Sequence, residues 1–492
     1  MRASGILLHI TSLPNQYGIG KLGKEAYDFV DFLVKSKQKI WQILPLSPTS
    51  FGDSPYQSFS IFAGNPYFIS FEKLEEEMLL KKEEYTGDEW CESGRFVDYG
   101  LLYERIFVVL KKAHVRFKLS PSVEYTSYVE KNRSWLLDYA LFMSLKFAHE
   151  GHAWCQWEEP LRNREPEAIA EAYEKYRDDV DFWCFLQYEF YAQWFALKKY
   201  ANSKGIQIIG DIPIYAAYDS VEVWCRPELF QLDENREPIV VAGFPPDGFS
   251  PDGQLWGNPI YDWDRMKEEE YAWWVERIRF SKAIYDVVRI DHFIGFNSYY
   301  AIPFGNKTAH GGEWRAGPKY EVFQAVKAST GREGIIAEDL GIITPAVRKL
   351  MKQAGYPGMK VLQFAFSPDG KSDYLPQNYI SSNCVVYTGT HDNETVAGWV
   401  QNIDKKSLKF CKEYLAIKKN AGIPWAFIEL AWKSTADTAV TTMQDLWGYD
   451  NSARINVPST VGDNWRWRAL ESDFSDGLAQ RLGKLTELSN RT

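Results

Sequence analysis

Asp286 to Phe296 reads Asp-Val-Val-Arg-Ile-Asp-His-Phe-Ile-Gly-Phe. A β-branched run that stops at an arginine and a carboxylate two residues apart has the pattern of a buried parallel strand whose C-terminal tip carries polar chemistry. Residues two apart on a strand point the same way, so Arg289 and Asp291 share a face, where the cation would hold the carboxylate ionised and oriented. A structural ion pair at a strand end has the same local pattern, so the decision rests on what the rest of the chain brings to that tip.

Short apolar runs closed by turn formers recur on both sides of this stretch: Gly5 to Leu13, Ile40 to Leu46, Ile206 to Tyr215, Gly334 to Gly341, Gly358 to Phe366, Cys384 to Asn393 and Ala453 to Ser459. With the opening stretch they make eight. Between the first two, Ala26, Phe29, Val30 and Leu33 recur at spacings of three and four, which predicts an amphipathic helix. Strand, helix and strand in so short a space is a unit of a parallel sheet. Eight such strands predict an α/β fold, a (β/α)8 TIM barrel with its active site at the C-terminal strand ends.

The alternation breaks three times, which predicts large, mostly helical insertions at residues 47–205 after the second strand, at 216–285, and at 394–452 before the eighth strand. The middle one contains Phe244 to Tyr261, too rich in Pro and Gly for a helix, with Phe249 and Trp256 among polar residues. This stretch, about residues 244–261, reads either as a lid over the site or as a surface loop pinned by its own aromatics. No repeat or low-complexity linker divides the chain, so residues 1–492 read as one elaborated domain.

Hydrophobic residues make up 45% of the 492 and charged ones 25%, the balance of a globular rather than a disordered protein. Aromatics reach 16%, with 19 Trp and 29 Tyr, which means either a Trp-rich core or exposed faces on which sugar rings stack. A net charge of −10 argues against a nucleic-acid partner and for a neutral substrate. Cys91, Cys155, Cys184, Cys225, Cys384 and Cys411 show no CxxC spacing and read as reduced thiols rather than a disulfide frame or zinc site. No apolar run reaches membrane-spanning length, so no membrane partner is expected. The expected location is the cytoplasm, or a plastid for a chain whose transit peptide has been removed.

The predicted strand tips deliver Asp211, Asp291, Glu338 and, beside His391, Asp392. Burying several carboxylates together is costly and raises at least one pKa, so such a cluster points to chemistry: a divalent metal site, or glycoside cleavage by an acid and a nucleophile. The neighbouring Arg289 competes with a metal, and with the aromatic wealth and the neutral substrate it favours the sugar. His292 and His391 then read as hydrogen-bonding groups rather than metal ligands. Tyr56, in the Gly-Asp-Ser-Pro-Tyr-Gln-Ser loop of residues 52–58, is either a stacking platform or part of a plain turn.

Val-Arg-Ile-Asp-His-Phe, Ala-Glu-Asp-Leu-Gly, Thr-Gly-Thr-His-Asp-Asn and Gly-Asp-Ile-Pro-Ile-Tyr resemble the conserved regions of the 4-α-glucanotransferases, the amylomaltases or disproportionating enzymes of glycoside hydrolase family 77 in the α-amylase clan. Gly-Ile-Leu-Leu-His-Ile-Thr-Ser-Leu-Pro, Gly-Asp-Ser-Pro-Tyr-Gln, the Pro-Pro-Asp stretch and Trp-Gly-Asn-Pro extend the likeness over nearly the whole chain. The resemblance implies transfer of α-1,4-glucan segments between donor and acceptor sugars by a retaining double displacement, without metal or organic cofactor. It implies that Asp291 is the nucleophile, Glu338 the general acid and base, and Asp392 the transition-state stabiliser. Arg289 would hold Asp291 ionised and leave the proton on Glu338, Asp211 and His391 would contact the donor sugar, Tyr56 would stack on it, and Ser54 would bind substrate. Asp247, Phe249 and Trp256 would form the lid on the acceptor side, with Asn464 near the substrate. One departure from the family lies in that lid, where Gly248 follows Pro-Pro-Asp.

Overall fold

Twelve strands are found among the described residues, which are all but 1, 88 and 247–249 of this computed structural model, and β-branched runs such as Val287–Ile290 and Thr438–Thr442 form part of the barrel. The strands are β1 (Ala3–Leu7), β2 (Ile40–Gln42), β3 (Gln207–Ile212), β4 (Val240–Phe244), β5 (Gln254–Pro259), β6 (Val287–Ile290), β7 (Ser298–Pro303), β8 (Glu313–Ala316), β9 (Ile335–Ala337), β10 (Gly358–Val361), β11 (Cys384–Tyr387) and β12 (Thr438–Thr442). Eight of them form one sheet in the order β10-β11-β12-β1-β2-β3-β6-β9. Every pair in it is parallel.

The two ends of this sheet meet. The Ala337 amide donates to the Pro357 carbonyl at 2.9 Å, and Asp339 accepts the Met359 amide at 2.7 Å, so the sheet closes into a (β/α)8 barrel. Leu7, Ile40, Ile209, Ile336, Met359, Val361, Val385, Tyr387 and Val440 pack together inside it. Side chains alternate along a strand, so Ile209 and Asp211 share the inner face, the apolar one below and the charged one above. The apolar layers thus form a floor under a polar rim. Gly5 is required where strands crowd: a Cβ there would lie 2.3 Å from the Ile40 carbonyl oxygen.

The eighth strand is Thr438–Thr442, not Ala453 to Ser459. Ala453, Ile455 and Val457 alternate with polar residues as a half-buried strand would, but Asn451–Ala453 is a single turn of 3-10 helix and the residues after it are loop. Ile455 faces inward because it packs on Leu44 and Trp465, not because it pairs with a strand. The segment 394–452, expected to be a helical excursion before that strand, therefore contains it, after helices Val396–Asn402, Lys405–Tyr414 and Ile423–Lys433.

A second, antiparallel sheet in the order β5-β4-β7-β8 lies outside these expectations. The end of the stretch read as a lid is its strand β5, so that stretch is partly ladder and not all loop. Between β2 and β3 the chain runs mainly through helices, the longest being Arg177–Ser203. Trp194 on that helix is fully buried and donates its indole N–H to the Ile284 carbonyl at 3.0 Å, which docks the helix beside the start of β6. Trp41, Trp154, Trp224, Trp274 and Trp432 are buried as completely, so much of the aromatic wealth belongs to the core. Among the described residues no helix is long and apolar enough to cross a membrane.

Candidate active site

Asp211 and Arg289 are register partners on β3 and β6, which puts both side chains over the barrel floor. Arg289 Nη1 donates to Asp211 Oδ2 at 2.6 Å and lies 3.0 Å from Asp291 Oδ1. Its Nε points at the Met359 sulfur, 3.4 Å away. One guanidinium therefore touches two carboxylates. Asp211 is buried while the Asp291 side chain is 28% exposed, so the second carboxylate is the one open to a ligand. Burial raises the Asp211 carboxyl, Arg289 opposes that rise, and the charge of Asp291 adds to it.

The turn after β6 arranges the next acid. His292 is left-handed, with φ 46°, a conformation that costs an L-residue about 1 kcal/mol or more. In return its amide donates to Glu338 Oε2 at 2.7 Å. The Leu340 amide donates to Oε1, also at 2.7 Å, so each oxygen of Glu338 rests on a main-chain N–H. Glu338 is 6% exposed. Burial, and after it the neighbouring charge of Asp291, pushes its carboxyl up to about 8 against the pull of Arg289 and the two amides. The His292 imidazole is pushed down to about 4 by burial, so at neutral pH it is uncharged.

Asp392 follows β11. Asn456 Nδ2 donates to its Oδ1 at 2.6 Å, His391 Nε2 lies 3.3 Å from the same oxygen, and Arg454 Nη2 donates to its carbonyl at 2.7 Å. Burial works to raise this carboxyl, but the charge and hydrogen bond of His391 and the hydrogen bond from Asn456 outweigh it and hold it below the usual range. Glu338 and Asp392 are thus driven in opposite directions, the separation that acid and stabiliser roles require.

Tyr56 donates its hydroxyl to Asp211 Oδ2 at 2.8 Å, and its ring stacks on His391 with centroids 5.1 Å apart and planes 18° apart. Ser54 Oγ accepts the Tyr56 amide at 3.2 Å and shapes that loop. The Trp256 ring stands edge-on to His292 at 4.8 Å. Asn464 is committed to its own loop, accepting the Val457 amide at 2.9 Å and donating to the Thr460 carbonyl at 3.0 Å. Asp247 and Phe249 lie outside the described residues. Sequence reasoning missed Asn456, Arg454, Gln57 and Trp465, whose ring lies 5.9 Å from Tyr56 and 5.8 Å from His391. Two of them had a signal: Trp465 sits in a Trp-rich segment, and Gln57 lies in the 52–58 loop beside Tyr56.

Asn456→Leu is expected to free the Asp392 carboxylate from its shortest hydrogen bond and so to raise its pKa from the depressed value it now has. Titration of the Asp392 carboxyl band in the infrared checks this, and an unmoved titration would show that His391 suffices to hold the group.

The family model described as 4-alpha-glucanotransferase matches residues 8–472. A 4-alpha-glucanotransferase of Clostridium butyricum is 46% identical over 486 residues, covering 98% of this chain and 100% of the relative. One from Streptococcus pneumoniae is 45% identical over 493 residues, covering 100% of this chain and 97% of the relative. The solved structure of the amylomaltase from Streptococcus agalactiae in complex with acarbose superimposes with a TM-score of 0.97 at 43% identity, covering 100% of both chains. A family match over nearly the full length, on a barrel whose rim gathers four carboxylates about one arginine, leads to one conclusion: this chain belongs to the 4-alpha-glucanotransferase family, glycoside hydrolase family 77.

Proposed function

We propose that the enzyme moves α-1,4-glucan segments from a maltooligosaccharide, or from a starch- or glycogen-derived glucan, to the 4-hydroxyl of an acceptor sugar, with Asp291, Glu338 and Asp392 as its three catalytic acids. The observation that carries this reading is the asymmetry of two neighbouring acids. Asp291 is open and lies against a guanidinium, whereas Glu338 is enclosed, beside a negative charge, and retains its proton up to about 8. A retaining double displacement needs that division.

In the first half-reaction Glu338 gives its proton to the glycosidic oxygen as Asp291 attacks the anomeric carbon, releasing the shortened donor and leaving a β-linked glycosyl-enzyme. In the second, Glu338, now a carboxylate, takes the proton of the acceptor 4-hydroxyl as that oxygen displaces Asp291. Asp392, held by Asn456 and His391, would accept the sugar 2- and 3-hydroxyls and stabilise the positive charge that develops on the ring. Tyr56 and Asp211 order the donor side, and Trp256 covers the acceptor side. We also place the enzyme in the cytoplasm, or in a plastid for a chain whose transit peptide has been removed, a reading supported by six cysteines that are all free thiols.

A time course with maltotriose tests the reaction by following glucose, longer oligosaccharides and total reducing ends together. Transfer conserves reducing ends, so glucose and longer products should rise while that total stays constant. A total that rises in step with glucose from the first minutes would mean hydrolysis instead.

A further inference from the structure

The Gly-Asp-Ser-Pro-Tyr-Gln loop holds two adjacent side chains of different use: Tyr56 turns to Asp211, and Gln57 turns to the acceptor side. Gln57 Nε2 donates to the Trp256 carbonyl at 3.1 Å and to Asn258 Oδ1 at 2.9 Å. Asn258 is buried, and its own amide donates to the Ala216 carbonyl at 2.9 Å, which fixes its oxygen toward Gln57. The main chain of Gln57 closes the loop as well, donating to the Ser54 carbonyl at 3.1 Å and accepting the Ser50 amide at 3.0 Å.

These acceptors lie at an irregular point of β5. Its ladder with β4 pairs Val241 with Pro259 and Gly243 with Leu255, so Trp256, Gly257 and Asn258 bulge out opposite one residue of the partner strand. Gly257 has the positive φ, 78°, that the bulge demands. A bulge re-aims side chains, and this one sets the Trp256 ring against His292, whose amide holds Glu338. Bulged residues lose ladder hydrogen bonds, and here Gln57 supplies a replacement from the donor loop.

We propose that Gln57 is a positioning residue that sets transfer against hydrolysis, by tying the Tyr56 loop to the bulge that carries Trp256. This rests on the glucanotransferase reading above. In both outcomes the bond between the anomeric carbon and Asp291 breaks and Glu338 takes a proton, from a sugar hydroxyl in transfer and from water in hydrolysis. What differs is which hydroxyl stands beneath Trp256. An indole held in place offers a flat apolar face to a sugar and little to water. The two hydrogen bonds tie the strand that carries Trp256 to the loop whose Tyr56 reaches Asp211, so one loop serves both sides of the site.

The test compares wild type with Gln57→Leu, which keeps the volume and removes both donors, and Gln57→Glu, which sets carboxylate oxygens against two acceptor oxygens. The readout is reducing ends gained per longer oligosaccharide formed from maltotriose, together with Tm. The share of turnovers ended by water is expected to rise roughly tenfold in Gln57→Leu, and further in Gln57→Glu, with Tm lowered by a few degrees in Gln57→Leu and by more in Gln57→Glu, where a carboxylate faces both acceptors. Added glucose as acceptor should bring the share back down in both. If both variants keep the wild-type share, whatever their total rate, the proposal is overturned and Gln57 only builds the loop. A wild type that shows no transfer at all would overturn the glucanotransferase reading and this proposal with it.

Discussion

Asp291→Asn is expected to lower maltotriose turnover by about 10⁴-fold or more while leaving maltotriose binding within a few-fold of wild type. The substitution keeps the shape of the side chain and removes the attacking oxygen anion, so the glycosyl-enzyme cannot form even with Glu338 in place. Binding should survive because the contacts proposed to order the donor, Tyr56 on Asp211 and the stack on His391, do not involve Asp291. A second effect follows from the coupling of the two acids. The charge of Asp291 is one of the causes that push the Glu338 carboxyl up, so in the variant Glu338 should titrate below about 8, which its infrared carboxyl band can follow. Turnover above about one per cent of wild type would remove Asp291 from the nucleophile's role.

The acids of the site were legible in the sequence because a barrel strand announces itself locally. Val-Val-Arg-Ile-Asp is at once an apolar run and a polar tip, and the tips of parallel strands all rise on one rim. The Arg289–Asp291 pairing was legible as well, but the shorter Asp211–Arg289 contact was not, since it depends on the register of β3 against β6. The groups that position those acids were not legible. Asn456 reaches Asp392 across 64 residues and Gln57 reaches Trp256 across 199, and each comes from a loop whose place depends on the finished fold. Nothing in the local pattern of an Asn or a Gln distinguishes such a residue from one facing water.

The fold shows the same limit. Ala453, Ile455 and Val457 alternate convincingly, yet the true eighth strand is Thr438–Thr442, a β-branched run hidden just after the helix Ile423–Lys433. Periodicity reports only that every second residue is apolar, and Val457 is in fact 41% exposed. Here a loop packed on Leu44 and Trp465 produces that signal without a ladder. The antiparallel sheet escaped for the opposite reason. Two of its strands carry Gly243 and Gly257, a third is the polar Glu313–Ala316, and they gain their order from one another.

Glu338→Gln should separate the two half-reactions and report on the burial of the acid. Maltotriose turnover is expected to fall by about 10³-fold or more, because its glycosidic oxygen leaves only with a proton. An α-maltosyl fluoride donor needs no such proton, so the variant should still release fluoride in a first burst and then stall, and added azide, which needs no base, should restart it. In wild type, kcat/KM should fall on the alkaline side with an apparent pKa near 8, where Glu338 loses its proton. The same shift acts on stability. Below about 4.5 the folded and unfolded chains both hold this proton; between there and about 8 the folded chain binds more, so stability drains away as pH rises, and the loss is complete above about 8. Glutamine cannot ionise, though its amide NH2 must face one of the two main-chain N–H donors, a cost of about 1–3 kcal/mol that does not vary with pH. Tm of the variant relative to wild type should therefore climb from pH 4 to pH 8 and then level off. A difference that stays flat over that range would mean that Glu338 is not held protonated by its burial, and would take from it the role of acid.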